Sequence, residues 1–160
     1  TFWVIRTIKR MPSATGDSAP PLPTGTVVAD VSMDRFSDNE TVSLSTYPQH
    51  AKALVFLGSK CPKCKAKLPE LRASMAKTQN LGVMIWIVSV EKRRRIKNFL
   101  RDEVLLDATL RTNQDTYDYL NPQSAFPYYL FIDAENTVQA EGMLGDENWM
   151  NFIEQLEQEG

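Results

Sequence analysis

The feature that most constrains this chain is an unbroken apolar run, Ala53-Leu54-Val55-Phe56-Leu57, that leads four residues later into Cys61-Pro62-Lys63-Cys64. A strand that is apolar at every position must be covered on both faces, so it belongs inside a sheet flanked by helices. A second buried strand is expected over residues 83–90. Proline fits the first position of a helix, where its missing N–H has no partner to lose. A helix is therefore expected from Pro62 to about Thr78, with Leu68, Leu71 and Met75 at helical spacing. Pro69 inside it removes a backbone donor and should kink it.

Weaker patterns fill in the rest. Val27, Val28, Val31 and Met33 suggest a first strand, and Thr41-Val42-Ser43-Leu44 a short second one. Ile96, Phe99, Leu100 and Val104 mark one apolar helical stripe, and Arg93, Arg94, Arg95 and Lys97 beside it read as its solvated face. Asn113 is an expected N-cap for a short helix over residues 114–120. Residues 128–132 and 137–140 form a hairpin around Ala134-Glu135-Asn136. Asp146 should cap a last helix carrying Trp149, Met150, Phe152, Ile153 and Leu156. Strands alternating with helices, followed by a hairpin and a final helix, predict an α/β fold: a central mixed sheet with helices on both faces.

The chain has 160 residues, enough for one domain with a real core. With 18 basic and 20 acidic residues its net charge is −2, which argues against a nucleic-acid partner. Two cysteines make no disulfide framework, and with His50 as the lone histidine they do not complete a four-ligand structural zinc site. No cofactor or metal is implied. Residues 11–25 carry Pro12, Pro20, Pro21 and Pro23 among small polar residues and read as a linker. Residues 1–25 are thus an N-terminal tail and Pro-rich linker, and residues 26–160 the folded domain. The opening Phe2-Trp3-Val4-Ile5 before Arg6, Lys9 and Arg10 fits the end of a membrane anchor and equally a frayed terminus, since it is too short to span a bilayer.

Chemistry concentrates at Cys61 and Cys64. Cys61 falls at a helix N-terminus, where free N–H groups and the helix dipole stabilise a thiolate. Pro62 and Lys63 tune that position, with Lys60, Lys65 and Lys67 adding positive charge. Cys64, one turn inside, is the natural resolving thiol. Two other readings stand beside this one: a copper or zinc site using both thiols, and a passive pair of buried thiols. A second element is Ala125-Phe126-Pro127-Tyr128-Tyr129, where Pro127 should open a strand because it cannot donate to the ladder.

These segments resemble the TlpA/ResA-like branch of the thioredoxin superfamily, from about Val27 to Gly160. The resemblance rests on residues 54–71 as strand, Cys-Pro-Lys-Cys site and kinked helix, on Val88-Ser89-Val90-Glu91 and Leu105-Leu106-Asp107 as an inserted segment, and on residues 126–133 as a cis-proline loop and strand. The pattern Cys-Pro-x-Cys-Lys-x-x-Leu-Pro is also similar to the methylamine-utilisation protein family MauD. The resemblance implies a thioredoxin-like thiol–disulfide oxidoreductase, a disulfide reductase acting in the periplasm or elsewhere outside a bacterial cytoplasm. It implies protein substrates with disulfides, a membrane-embedded electron donor, and a cis Phe126–Pro127 bond holding substrate beside Cys61. Lys60 departs from the family's aromatic residue before the first cysteine, and Lys67 from its frequent acidic residue. The apolar strand offers no carboxylate to deprotonate Cys64, which leaves Glu70 and Glu91 as weak substitutes.

Overall fold

The computed structural model describes residues 20–47, 50–78 and 81–159, with no side chains beyond Gln155. The expected anchor end at residues 1–10, most of the linker, and the packing of Leu156 lie outside this set.

The elements run β1 (Ser32–Arg35), β2 (Thr41–Ser43), a 3-10 turn (Leu44–Thr46), β3 (Ala51–Phe56), α1 (Pro62–Thr78), β4 (Val83–Ser89), α2 (Arg93–Leu100), α3 (Glu103–Asp107), β5 (Thr109–Arg111), α4 (Gln114–Leu120), β6 (Tyr128–Ile132), β7 (Val138–Met143) and α5 (Glu147–Glu159). They form one mixed sheet ordered β2-β1-β5-β4-β3-β6-β7. The central strand β3 lies parallel to β4 and antiparallel to β6.

The alternation along β3 divides the core in two. Ala53, Val55 and Leu57 join Leu68 and Leu71 of α1, Ile96 and Leu100 of α2, and Trp149 and Ile153 of α5 on one face. Leu54 and Phe56 join Tyr117 and Leu120 of α4 on the other. Each fully buried large apolar side chain contributes about 1.5–3 kcal/mol of transfer free energy. Both faces must be covered, and the fold is the mixed sheet with helices on both sides that the run required.

Two expectations need correction, and one strand has no counterpart among them. The first valines do not share a strand. The N–H groups of Gly25 and Val28 bond the carbonyls of Val138 and Asn136 on the β6–β7 hairpin, 2.8 Å each, at one edge of the sheet. The chain then crosses toward the far edge, where Met33 enters β1 between β2 and β5. Val27 makes only an isolated bridge to Thr137 and is 68% exposed. Residues 96–104 do not form one helix either. Arg101 adopts a left-handed conformation (φ +51°) that ends α2, and Asp102 accepts the N–H groups of Val104 and Leu105 to start α3. Strand β5, three residues long, carries too short a pattern to be seen in sequence. The hairpin and last helix follow expectation more closely. Asp146 Oδ1 accepts the Trp149 N–H at 2.8 Å and seats a ring that is 1% exposed.

Among the described residues one lysine lies inside. Lys52 of β3 is 1% exposed, and its Nζ donates to His50 O at 3.1 Å and to Asn136 Oδ1 at 3.4 Å. Burial lowers its pKa, while the charges of Asp30 and Asp133 oppose that shift. Among the described residues no helix is long and apolar enough to cross a membrane.

Candidate active site

The turn from β3 into α1 builds the site. Cys61 N–H donates to Gly58 O at 3.1 Å, which folds residues 58–61 into a tight loop and leaves Cys61 just ahead of the first helical residue, Pro62. Both cysteines are free thiols; Cys61 is half-buried and Cys64, one turn on, is fully buried. Cys61 Sγ accepts the Cys64 N–H at 3.2 Å, and Cys64 Sγ accepts the Gly58 N–H at 3.4 Å. Burial pushes the Cys64 thiol up to about 12, helped by the neighbouring Cys61 sulfur and opposed by the Gly58 N–H. The inner sulfur is therefore a protonated thiol at neutral pH, while the outer one faces solvent.

A carboxylate closes the other side of the loop. Glu91, just past β4, accepts the Ser59 N–H on Oε2 at 3.1 Å and the Ser59 hydroxyl on Oε1. Its own N–H donates to Ser89 Oγ at 3.1 Å. Its negative charge reaches Cys64 and adds to the rise of that thiol's pKa. Of the two carboxylates considered from sequence, the structure brings Glu91 to the cysteine loop. Glu70 instead lies 3.8 Å from Lys67 Nζ and faces Gly145, where an added Cβ would come within 3.0 Å of its Oε2.

The proline loop arrives from α4. Asn121 is fully buried; its Nδ2 donates to Ala125 O at 2.7 Å and its Oδ1 accepts the Ala125 N–H at 3.1 Å. This two-point clamp fixes the residue just ahead of Phe126. The Phe126–Pro127 peptide is cis. The Pro127 carbonyl accepts the Leu144 N–H at 3.0 Å. Phe126 is 43% exposed and its ring lies over Gly58, where a Cβ would meet Cε2 at 3.0 Å. Cys61, Cys64, Pro62, Lys63 and Phe126 thus gather around one loop. Gly58, Ser59 and Asn121 complete it and went unnoticed in sequence. Ser59 and Asn121 act through pairings that no local motif marks. Gly58 had a signal, since a glycine directly after a buried strand often marks a close approach. Among the described residues no group of three or more His, Cys, Asp or Glu could hold a metal ion.

Sheet order, a Cys-x-x-Cys pair at the β3–α1 turn and a facing proline loop define the thioredoxin class. Residues 24–141 match the model of the AhpC/TSA family, and the chain belongs to that family. Similar folds include the thioredoxin domain of a thiol-disulfide oxidoreductase from Bacteroides vulgatus, with TM-score 0.71, 19% identity, and 84% of this chain and 97% of that one covered. A putative thiol:disulfide interchange protein DsbE from Chlorobium tepidum gives TM-score 0.70 at 19% identity over 84% and 95% of the two chains. The pneumococcal exposed lipoprotein thioredoxin of Streptococcus pneumoniae gives 0.65 at 20% identity over 81% and 99%. None of the curated proteins matches this sequence. The chain is thus a member of the AhpC/TSA family with a thioredoxin-like fold.

Proposed function

We propose that the protein is a disulfide reductase acting on protein substrates outside the cytoplasm. The observation that carries this reading is the asymmetry of the pair: a half-buried Cys61 sulfur at the helix start, and a fully buried Cys64 thiol bonded behind it. The Cys61 thiolate attacks one sulfur of a client disulfide, and the client's other sulfur leaves and takes up a proton. Cys64 then loses its proton toward Glu91 and attacks the Cys61 sulfur. The client's second thiol is released, and two electrons have passed from the pair to the client. Pro62 and Lys63 shape the electropositive start of α1, and Phe126 with Pro127 holds the client backbone beside Cys61. An extracytoplasmic setting, and re-reduction by a membrane-embedded donor, are what the TlpA/ResA resemblance implies. The pneumococcal relative's description as an exposed lipoprotein supports the setting.

The direction of transfer follows from magnitudes. Lys60, Lys63 and Lys65 are exposed and Lys67 partly so. After screening, each contributes about 1 kcal/mol or less to the reduced form. At about 30 mV per 1.4 kcal/mol, the four together shift the potential by some tens of millivolts. That falls short of the gap between about −270 mV, typical of thioredoxin, and the roughly −120 mV of a dedicated oxidant. Equilibration in glutathione buffers should therefore give a value near the reductant end. A value near the oxidant end, with efficient oxidation of reduced unfolded proteins, would overturn the reductase assignment.

The role of Phe126 has its own test. Its ring is 43% exposed, so Phe126→Ala removes little buried area, and its stability cost is expected to stay below about 1 kcal/mol. KM for a protein disulfide should rise several-fold while kcat holds, because only client binding is touched. An unchanged KM would remove Phe126 from the client site.

A further inference from the structure

Charge is distributed very unevenly along this nearly neutral chain. Residues 60–101 hold 12 of the 18 Lys and Arg residues and only two of the 20 acidic ones. Half of these cations are tied down or partnered: Arg72 to Asp102, Arg93 to Phe36 O and Asn39, Lys67 to Glu70, and Arg95 to Glu91 among them. Lys60, Lys63, Lys65, Lys92, Arg94 and Lys97 are exposed and make no ion pair with a described acidic side chain.

These six cations lie on two segments that meet at the cysteine loop. The Ser59–Glu91 bonds join the loop carrying Lys60 directly to the segment carrying Lys92. Lys63 and Lys65 follow Cys61 at the start of α1, and Arg94 and Lys97 lie on α2, whose Ile96 is buried. Neither helix has an acidic residue in its first turn. Cations at a helix start oppose the macrodipole, and both positive helix ends add to the same field. This arrangement works against local stability in a chain with acidic residues to spare. A merely solvated face would not require it.

We infer that this cationic surround of the cysteine loop, from Lys60 through the start of α2, docks an acidic protein surface that carries the reacting disulfide or dithiol; the inference rests on the oxidoreductase reading above. An acidic client is drawn to the sulfur by the long-range field, and basic clients are turned away. An anionic lipid surface offers the same charge, but it would cover the Cys61 sulfur that has to meet another protein.

The test uses one cystine-bridged peptide in three forms, with glutamate, glutamine or lysine flanks, each rate normalised to its reduction by dithiothreitol. At low salt the glutamate form should be reduced at least ~10-fold faster than the glutamine form. Near 1 M salt, where screening acts beyond about 3 Å, the rates should converge. The triple variant Lys92→Ser, Arg94→Ser, Lys97→Ser should lose the preference and keep its rate on the glutamine form. Equal rates at low salt, or a preference that survives in the variant, would overturn the inference. Reduction of the glutamine form reports the oxidoreductase reading by itself. Should no peptide be reduced, that reading fails. A glutamate peptide with both cysteines replaced by serine still decides the docking face, through amide shifts at residues 60–67 and 92–97. Those shifts support the face and their absence overturns it. Salt-sensitive binding to phosphatidylcholine–phosphatidylserine vesicles that blocks alkylation of Cys61 would assign the face to lipid and overturn the protein partner.

Discussion

Cys61→Ser is expected to lower disulfide reduction to the uncatalysed background, whereas Cys64→Ser is expected to turn the protein into a trap for its clients. The two losses differ because the two sulfurs do. Cys61 is half-buried at the open start of α1, and it alone can meet a client sulfur. Without it no mixed disulfide forms. Cys64 is fully buried behind Cys61, whose sulfur accepts the Cys64 N–H at 3.2 Å, and it is closed off from a client sulfur. With serine at 64 the first attack still proceeds, the second cannot, and client stays covalently bound. Serine is small enough for the site and can accept the Gly58 N–H that now goes to Cys64 Sγ, so the fold should persist. Non-reducing electrophoresis of clients mixed with each variant gives the readout. Mixed disulfides that accumulate on Cys61→Ser instead would reverse the two roles.

How much of this could be read from sequence varies with the range of the interaction. The apolar run, the Pro62–Thr78 helix, and the Asn113 and Asp146 caps were legible, because each is fixed by neighbours a few residues apart. The site's third dimension was not. The Ser59–Glu91 bonds span 32 residues, and nothing near either residue marks the other. In sequence Glu91 reads as a weak base, level with Glu70, and the packing of β4 against β3 is what separates them. Lys52 shows a different limit. A lysine at the start of an apolar strand reads as a solvated end, yet the β6–β7 turn folds over it and supplies Asn136. The split between α2 and α3 was hidden because the stripe keeps helical spacing across Arg101, whose left-handed backbone no composition signals. The cation surplus in residues 60–101 was present in the sequence. Its meaning depends on the start of α2 lying beside the cysteine loop, which the Ser59–Glu91 bonds bring about.

The stability of the reduced protein is expected to fall as pH rises from about 9 toward about 12, and Cys64 should be a principal cause. Its thiol is pushed from an ordinary value of 9.0 up to about 12, first by burial and then by the Cys61 sulfur. In that window the folded chain keeps a proton that the unfolded chain has lost, so stability decreases with pH. One proton corresponds to about 1.4 kcal/mol per pH unit. Below about 9 both states hold the proton and the contribution is complete; above about 12 neither does, and it is gone. Other groups titrate nearby. Tyr117, Tyr128 and Tyr129 are also raised by burial and act with the same sign. Lys52, lowered by burial, acts with the opposite one, because there the unfolded state holds the extra proton. The quantity to compare is therefore the slope of urea-unfolding free energy against pH for reduced wild type and Cys64→Ala. The difference isolates one thiol, whatever constant penalty the alanine cavity adds. Wild type should be steeper by up to the one-proton value across pH 9 to 12, and the oxidised protein, with no thiol to titrate, should follow the alanine slope. Parallel slopes for all three would mean that Cys64 ionises at its ordinary value in the folded chain, and that the buried, protonated resolving thiol is not what this site contains.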